Sequence, residues 1–207
     1  MWARVKASQV IEIINGAKAM TIDGTQYPAS IFKIWSAADL KAKGLYSYTE
    51  TGHKDTFYYT MGAISYTVDD SAGTVVGTYA STPKGMDDVN WTQSEIDAGS
   101  APAGATTDTV KTKGLKTLWK EKIKASAASL IAPYDWYSLR KAQAGTAIPS
   151  DINTYMNAVR TASAVNEANV ASTSDVDQMI ERASDTFDKD GVWTANSVYN
   201  EWPTPLV

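Results

Sequence analysis

The spacing of hydrophobic residues changes partway along this chain, and this change limits the possible folds more than any other feature. Over roughly the first 90 residues apolar positions alternate with polar ones, as where Ile64, Tyr66 and Val68 share one face of a candidate strand. From about residue 110 the apolar residues recur at intervals of three and four, the spacing of an amphipathic helix. The sequence therefore predicts an α+β fold with strands first and helices second.

The first domain, residues 1–90, is predicted to be β-rich and antiparallel, with one short helix. Its strands are separated by turn residues such as Asp-Gly, which supplies the positive φ of a tight hairpin turn. The elements expected, in chain order, are a hairpin of residues 2–6 and 10–15, a turn at Asp23-Gly24, a helix over 37–43 between its N-cap Ser36 and Gly44, and strands over 56–60, 63–68 and 74–80.

Regular patterning then disappears. Residues 91–109 are small, polar and rich in glycine and proline, as in the run from Gly99 to Gly104. Composition of this kind is typical of a linker or an extended surface arm. We therefore expect this segment to separate the β-rich domain from a helical domain.

The helical domain, residues 110–207, is predicted to be a helical hairpin or a three-helix cluster with a C-terminal tail. Pro133 ends a first helix of about residues 110–132, and Pro149 opens a second that runs to about residue 169. The apolar stripes of the two helices are Leu115, Leu118, Trp119, Ile123, Ala127, Leu130 and Ile131 on the first, and Ile152, Tyr155, Met156 and Val159 on the second.

Two shorter helices are expected around this pair. Residues 135–142 are predicted to fold Trp136 and Leu139 over the end of the helix pair. A last amphipathic segment, capped near Thr173 or Ser174, carries Val176 and Met179.

Composition excludes several classes of function. The net charge is −4, so long-range attraction to nucleic acid or to an anionic membrane has no source, and neither is expected as a partner. There is no cysteine, which excludes disulfides, thiolate metal sites and cysteine nucleophiles but leaves the compartment undetermined. The N-terminus lacks the apolar core of a signal peptide, so we expect synthesis in a cytoplasm. No apolar run approaches the roughly 18 residues of a membrane span.

Catalytic chemistry has no recognisable signature. The phosphate-binding, nucleophile-elbow and zinc-protease motifs are missing, and the single histidine, His53, is expected in a surface loop. Acidic turns at Asp69-Asp70 and at Asp185, Asp188 and Asp190 lack the ligand spacing of a calcium loop. We therefore predict no enzyme activity, no catalytic residues, no bound metal and no cofactor.

One concentration of basic residues remains. Lysines lie on the faces of the first long helix that point away from its apolar stripe, where a solvated polar face is the ordinary interpretation. The alternative is contact with an acidic neighbouring subunit. The residues predicted to bind a partner are Lys113, Lys116, Lys120, Lys124, Trp202 and Pro203.

The order of several motifs resembles a known group. A lysine-rich helix, Tyr134-Asp135-Trp136, Arg140, Pro149 before a helix, Tyr155, Val159-Arg160 and a closing Trp202-Pro203 are similar to the C-terminal region of bacteriophage tail-fibre-assembly and related small tail proteins. The opening residues 1–5, residues 10–14 and residues 28–32 look like the N-terminal module of tailed-phage virion proteins.

The resemblance implies structural roles for the residues that carry it. Asp135, Trp136, Arg140, Tyr155 and Arg160 would form the corner that locks the helical hairpin, with Asp135 as a cap and Trp136 as a plug. The function implied is that of a non-enzymatic virion component of the tail, baseplate or fibre attachment, multimeric and docked on other virion proteins. The alternatives are a tail-fibre assembly chaperone and a module that binds or hydrolyses host glycans.

Overall fold

The computed structural model of the chain describes residues 1–206 as a mixed α+β protein with a curled β-sheet and several helices. The predicted α+β class is confirmed at this level. The chain divides into two compact units, Met1–Pro83 and Lys84–Val207.

The first unit contains a five-stranded sheet, a small hairpin and two short helices. In chain order its elements are β1 (Trp2–Lys6), β2 (Gln9–Ile14), β3 (Met20–Ile22), β4 (Thr25–Tyr27), α1 (Ile31–Ile34), α2 (Ala37–Ala42), β5 (Leu45–Thr51), β6 (Tyr59–Asp69) and β7 (Thr74–Pro83). The order of strands in the large sheet is β2-β1-β5-β7-β6.

The elements of this unit that the sequence predicted correctly are those with a local turn or helix-cap signal. Ser36 forms a capping box with Asp39 at the start of α2, and Gly44 follows the helix with φ +70°. The β1–β2 turn has Ala7 and Ser8 at positive φ, and β3 and β4 flank the Asp23-Gly24 turn. The N-terminal hairpin, the Asp-Gly hairpin and the capped helix are therefore confirmed.

The structure corrects the predictions for this unit in four ways. The unit has two short helices and not one, since Ile31–Ile34 forms α1. The central strand of the large sheet, β5, was not predicted from the sequence. β5 pairs with β7 in parallel, so the sheet is mixed and not antiparallel throughout. Met61-Gly62 lies at a register shift within one long strand, β6, because the chain bulges there without turning back.

Each face of the large sheet has its own apolar cluster. On one face, Ile14 and Leu45 of the sheet are buried together with Ile22 of the small hairpin and with Ile31 and Leu40 of the two helices. On the other, Val5, Tyr48 and Val75 are buried among side chains of the same sheet. That second cluster is enclosed because the sheet curls until its edge strands, β2 and β6, approach each other.

The second unit is mainly helical. Its elements are β8 (Val89–Asn90), α3 (Gln93–Asp97), β9 (Val110–Thr112), α4 (Leu115–Ile131), a 3₁₀ turn (Ala132–Tyr134), α5 (Asp135–Ala144), α6 (Ser150–Ala171), α7 (Val176–Ala183), β10 (Thr186–Phe187) and β11 (Trp193–Ala195). α4 and α6 pack on each other as the predicted hairpin, and α7 begins at its N-cap Asp175.

The predicted linker, residues 91–109, is not an extended arm. β8 and β9 pair at its two ends, and it contains α3, whose N-cap Thr92 forms a capping box with Glu95. After the segment the chain comes back beside its start, and Gly114 lies so close to Asp87 that an added Cβ would overlap the Asp87 backbone. The segment is therefore a folded part of the second unit. That unit begins at Lys84, so the boundary between the two units lies before residue 90.

Candidate interaction surface

The predicted aromatic corner is placed differently from the expectation. Trp136 is 50% exposed and Leu139 is 62% exposed, so neither plugs the end of the α4–α6 pair. Tyr134 lies there instead, with its ring 5.4 Å from that of Tyr155. The reason is the 3₁₀ turn at Ala132–Tyr134, which packs Tyr134 against the helix pair before α5 begins.

α5 displays the side chains of Trp136 and Leu139 to solvent, while Tyr137 and Arg140 are half-buried. The rings of Trp136 and Tyr137 are 3.8 Å apart, and the Arg140 guanidinium carbon lies 4.8 Å and 5.0 Å from their centroids. These residues and Leu139 form what we call the α5 platform. The helix has no buried residue along its entire length.

The other corner residues have local roles. Asp135 is the first residue of α5, where a carboxylate is favoured by the helix dipole, but the N-cap is Tyr134, which makes no side-chain capping hydrogen bond. Tyr155 is buried, and this burial raises the pKa of its hydroxyl, with Tyr134 as a second cause. Arg160 donates to the side-chain oxygen of Asn157, on the same helix, at 3.0 Å, and within residues 1–206 no ion pair of Arg160 is found. The structure does not bring these five residues together as one lock.

The lysines predicted to bind a partner lie mostly beside carboxylates of the same unit. Lys113 pairs with Glu121, Lys116 with Asp87 at 3.1 Å, and Lys124 with Glu167 at 3.4 Å. For Lys120 the described residues give no ion pair. A role for this face in partner binding stays a prediction, but its charge is largely balanced internally.

Trp202 and Pro203 belong to a returning C-terminal tail. Trp202 packs against the cluster of Ala127 and Val159, and its indole N–H donates to the side-chain oxygen of Asn200 at 2.9 Å. Pro203 lines a groove of about 470 Å³ beside α6. Trp202 thus contributes to the internal packing of the second unit, and a role for Trp202 or Pro203 in partner binding stays a prediction.

A second exposed element was missed by sequence reasoning. β10 and β11 form a hairpin in which Phe187 pairs with Trp193, and every residue of both strands is exposed. The carboxylate of Asp188 accepts the backbone N–H groups of Asp190 and Val192 at 2.9 Å and so holds the turn. The signal available in the sequence was an aromatic residue on each side of an Asp-rich, Gly-containing turn.

Comparison with known proteins identifies no relative: no family model, curated protein or solved structure matches the chain. Within residues 1–206 no group of three or more histidine or acidic side chains could hold a metal ion. In the same part of the chain, no helix is both long enough and apolar enough to cross a membrane.

Proposed function

We propose that the chain is a non-enzymatic structural protein of a tailed-phage particle, in the tail, baseplate or fibre-attachment region, where it docks on other virion proteins. It would be made in the host cytoplasm and retained in the virion. The observation that carries the docking role is that α5 and the β10–β11 hairpin have no buried residue, yet both expose tryptophan. The motif order described above supports the phage setting.

The composition of the α5 platform suits an interface. Tryptophan, tyrosine and arginine are the residue types most enriched among those that dominate binding energy, and Trp136, Tyr137 and Arg140 are stacked together. Stacking already restricts the three side chains before a partner arrives, which lowers the entropic cost of ordering them on binding. Grouped exposed apolar side chains of this kind mark interaction sites more often than scattered ones.

The test is quantitative mass spectrometry of purified particles. A permanent component is expected at a copy number stoichiometric with known tail proteins. Absence from particles, together with rescue of fibre folding on co-expression, would instead indicate an assembly chaperone and would overturn the proposal.

A variant of the α5 platform tests whether the protein enters the particle by docking through α5 or through another surface. The double substitution Trp136→Ser and Leu139→Ser should leave the isolated protein folded and lower its copy number in particles. The matched control is Val165→Ser, because Val165 is an exposed apolar residue on α6, outside the platform. Equal incorporation of both variants would exclude the α5 platform as the docking surface.

A further inference from the structure

The first unit contains a carboxylate surrounded by tyrosines on the sheet of β5, β7 and β6. Glu50 accepts a hydrogen bond from the Tyr48 hydroxyl at 2.9 Å and lies 3.2 Å from Nε2 of His53. Burial raises the pKa of Tyr79, and the charge of Glu50 and a hydrogen bond to it raise it further. The side chain of Glu50 remains 24% exposed, so a ligand can reach it.

Strand register places these side chains on one face. Glu50 of β5 and Tyr66 of β6 both lie opposite Gly77 of β7, and Tyr79 is two residues farther along β7. Because Gly77 has no side chain, the Tyr48 ring lies across it, and an added Cβ would overlap the Tyr48 hydroxyl. The cluster is therefore fixed by the sheet and not by a mobile loop.

His53 occupies the open side of this cluster. Its ring centroid is 4.4 Å from that of Tyr79, and its Nε2 is next to the Glu50 carboxylate. A planar nitrogen group against a tyrosine ring and beside a carboxylate makes the same two contacts that a guanidinium group makes in a binding site. The side chain of His53 is 62% exposed and follows Gly52, at φ +78°, after the end of β5. It is thus held by few contacts and can be displaced.

We propose that Glu50, Tyr66 and Tyr79 bind an arginine side chain of a partner protein, which takes the place of His53. The carboxylate supplies a charge-assisted acceptor, and the tyrosine rings supply faces that attract a cation. Tyr66 is exposed and Tyr79 half-buried, so both are within reach of a ligand. Displacement of His53 frees the lone pair of Glu50 that the imidazole uses. The negative net charge of the chain favours approach of a basic segment.

The proposal is tested by titrating the full chain with a blocked Gly-Arg-Gly peptide and following backbone amide shifts by NMR. Saturable shifts are expected in β5 and β7. The corresponding peptide with lysine in place of arginine should bind more weakly. The peptide with citrulline, which keeps the shape of arginine but lacks its charge, should not bind. Glu50→Gln should weaken binding at least about tenfold, as expected for loss of a charge-assisted hydrogen bond. His53→Ala should tighten it.

The control variant is Glu12→Gln. In the wild type the Glu12 carboxylate pairs with Lys18, at a different position of the same unit. It should bind the arginine peptide as the wild type does. Should Glu50→Gln fail to fold, Tyr66→Leu tests the same site at an exposed position and should also weaken binding. The proposal would be overturned if the citrulline or lysine peptide bound as tightly as the arginine peptide. It would also be overturned if the Glu50 and Tyr66 variants left binding unchanged. The Trp136→Ser, Leu139→Ser protein should bind normally, so this proposal can fail independently of docking by α5.

Discussion

Asp70 connects two turns of the first unit that are far apart in sequence. Its carboxylate accepts hydrogen bonds from the hydroxyl of Ser8, in the β1–β2 turn, and from the hydroxyl of Tyr46 at 2.7 Å. These bonds, with that from Ser8 the larger cause, lower the pKa of Asp70, and Asp70 in turn raises the pKa of Tyr46. A residue that appears in the sequence to be part of a solvated turn therefore helps to hold the curl of the sheet.

The lowered pKa of Asp70 gives a prediction for acid stability. A carboxyl whose pKa is lower in the folded state stabilises the protein above its unfolded pKa of about 3.9, and that contribution is lost as the pH falls through the folded value. Asp70→Asn should therefore reduce stability near pH 7 and reduce it less at pH 2. Denaturant midpoints of wild type and variant across this range give the comparison. Asp23→Asn, in another turn of the same unit, is the matched control for the loss of a turn carboxylate. An equal loss of stability at pH 7 and pH 2 in Asp70→Asn would contradict the prediction.

At the scale of elements, α4 and α5 differ in what their apolar residues do. Ile123 of α4 is 2% exposed, whereas no residue of α5 is buried. Periodicity alone treats the two helices alike, because tryptophan and leucine at helical spacing are compatible with burial or with docking on a partner. The sequence therefore predicted that α5 exists but assigned its aromatic side chain to the wrong environment.

Truncation of these two helices should have unequal effects. Ile123→Ala removes a buried side chain and should lower the free energy of unfolding by about 2–5 kcal/mol. Trp136→Ala removes mainly an exposed stack and should cost less than about 1 kcal/mol. Equilibrium unfolding of both variants measures this. A large loss for Trp136→Ala would mean that it does lock the helix pair.

The N-cap of α7 provides a further prediction. The Asp175 carboxylate accepts the backbone N–H of Gln178 at 2.9 Å. Asp175→Ala should destabilise the start of α7 and raise amide exchange in its first turn, because that backbone N–H loses its acceptor. Glu181→Ala, at an exposed position of the same helix, is the control and should leave that exchange unchanged. Unaltered exchange in Asp175→Ala would show that the cap does not hold the helix start.

In the whole molecule, each of the two units has its own apolar core and its own exposed aromatic side chains. Sequence reasoning recovered the α+β class, the tight hairpins and the α4–α6 pair, because Asp-Gly turns, the Ser36 cap and Pro133 act locally. It missed β5 and the pairing of β8 with β9, because a parallel or distant partner leaves little trace in the strand's own residues. It also missed the cluster around Glu50, which depends on that register.

We propose that other virion proteins dock on α5 and on the β10–β11 hairpin. Hydroxyl-radical footprinting of Trp136 and Trp193, in the isolated chain and in purified particles, measures whether these surfaces become covered. Both indole rings should be oxidised readily in the isolated chain, since both are exposed, and should be strongly protected in the particle. Oxidation at the same rate in both states would contradict the claim.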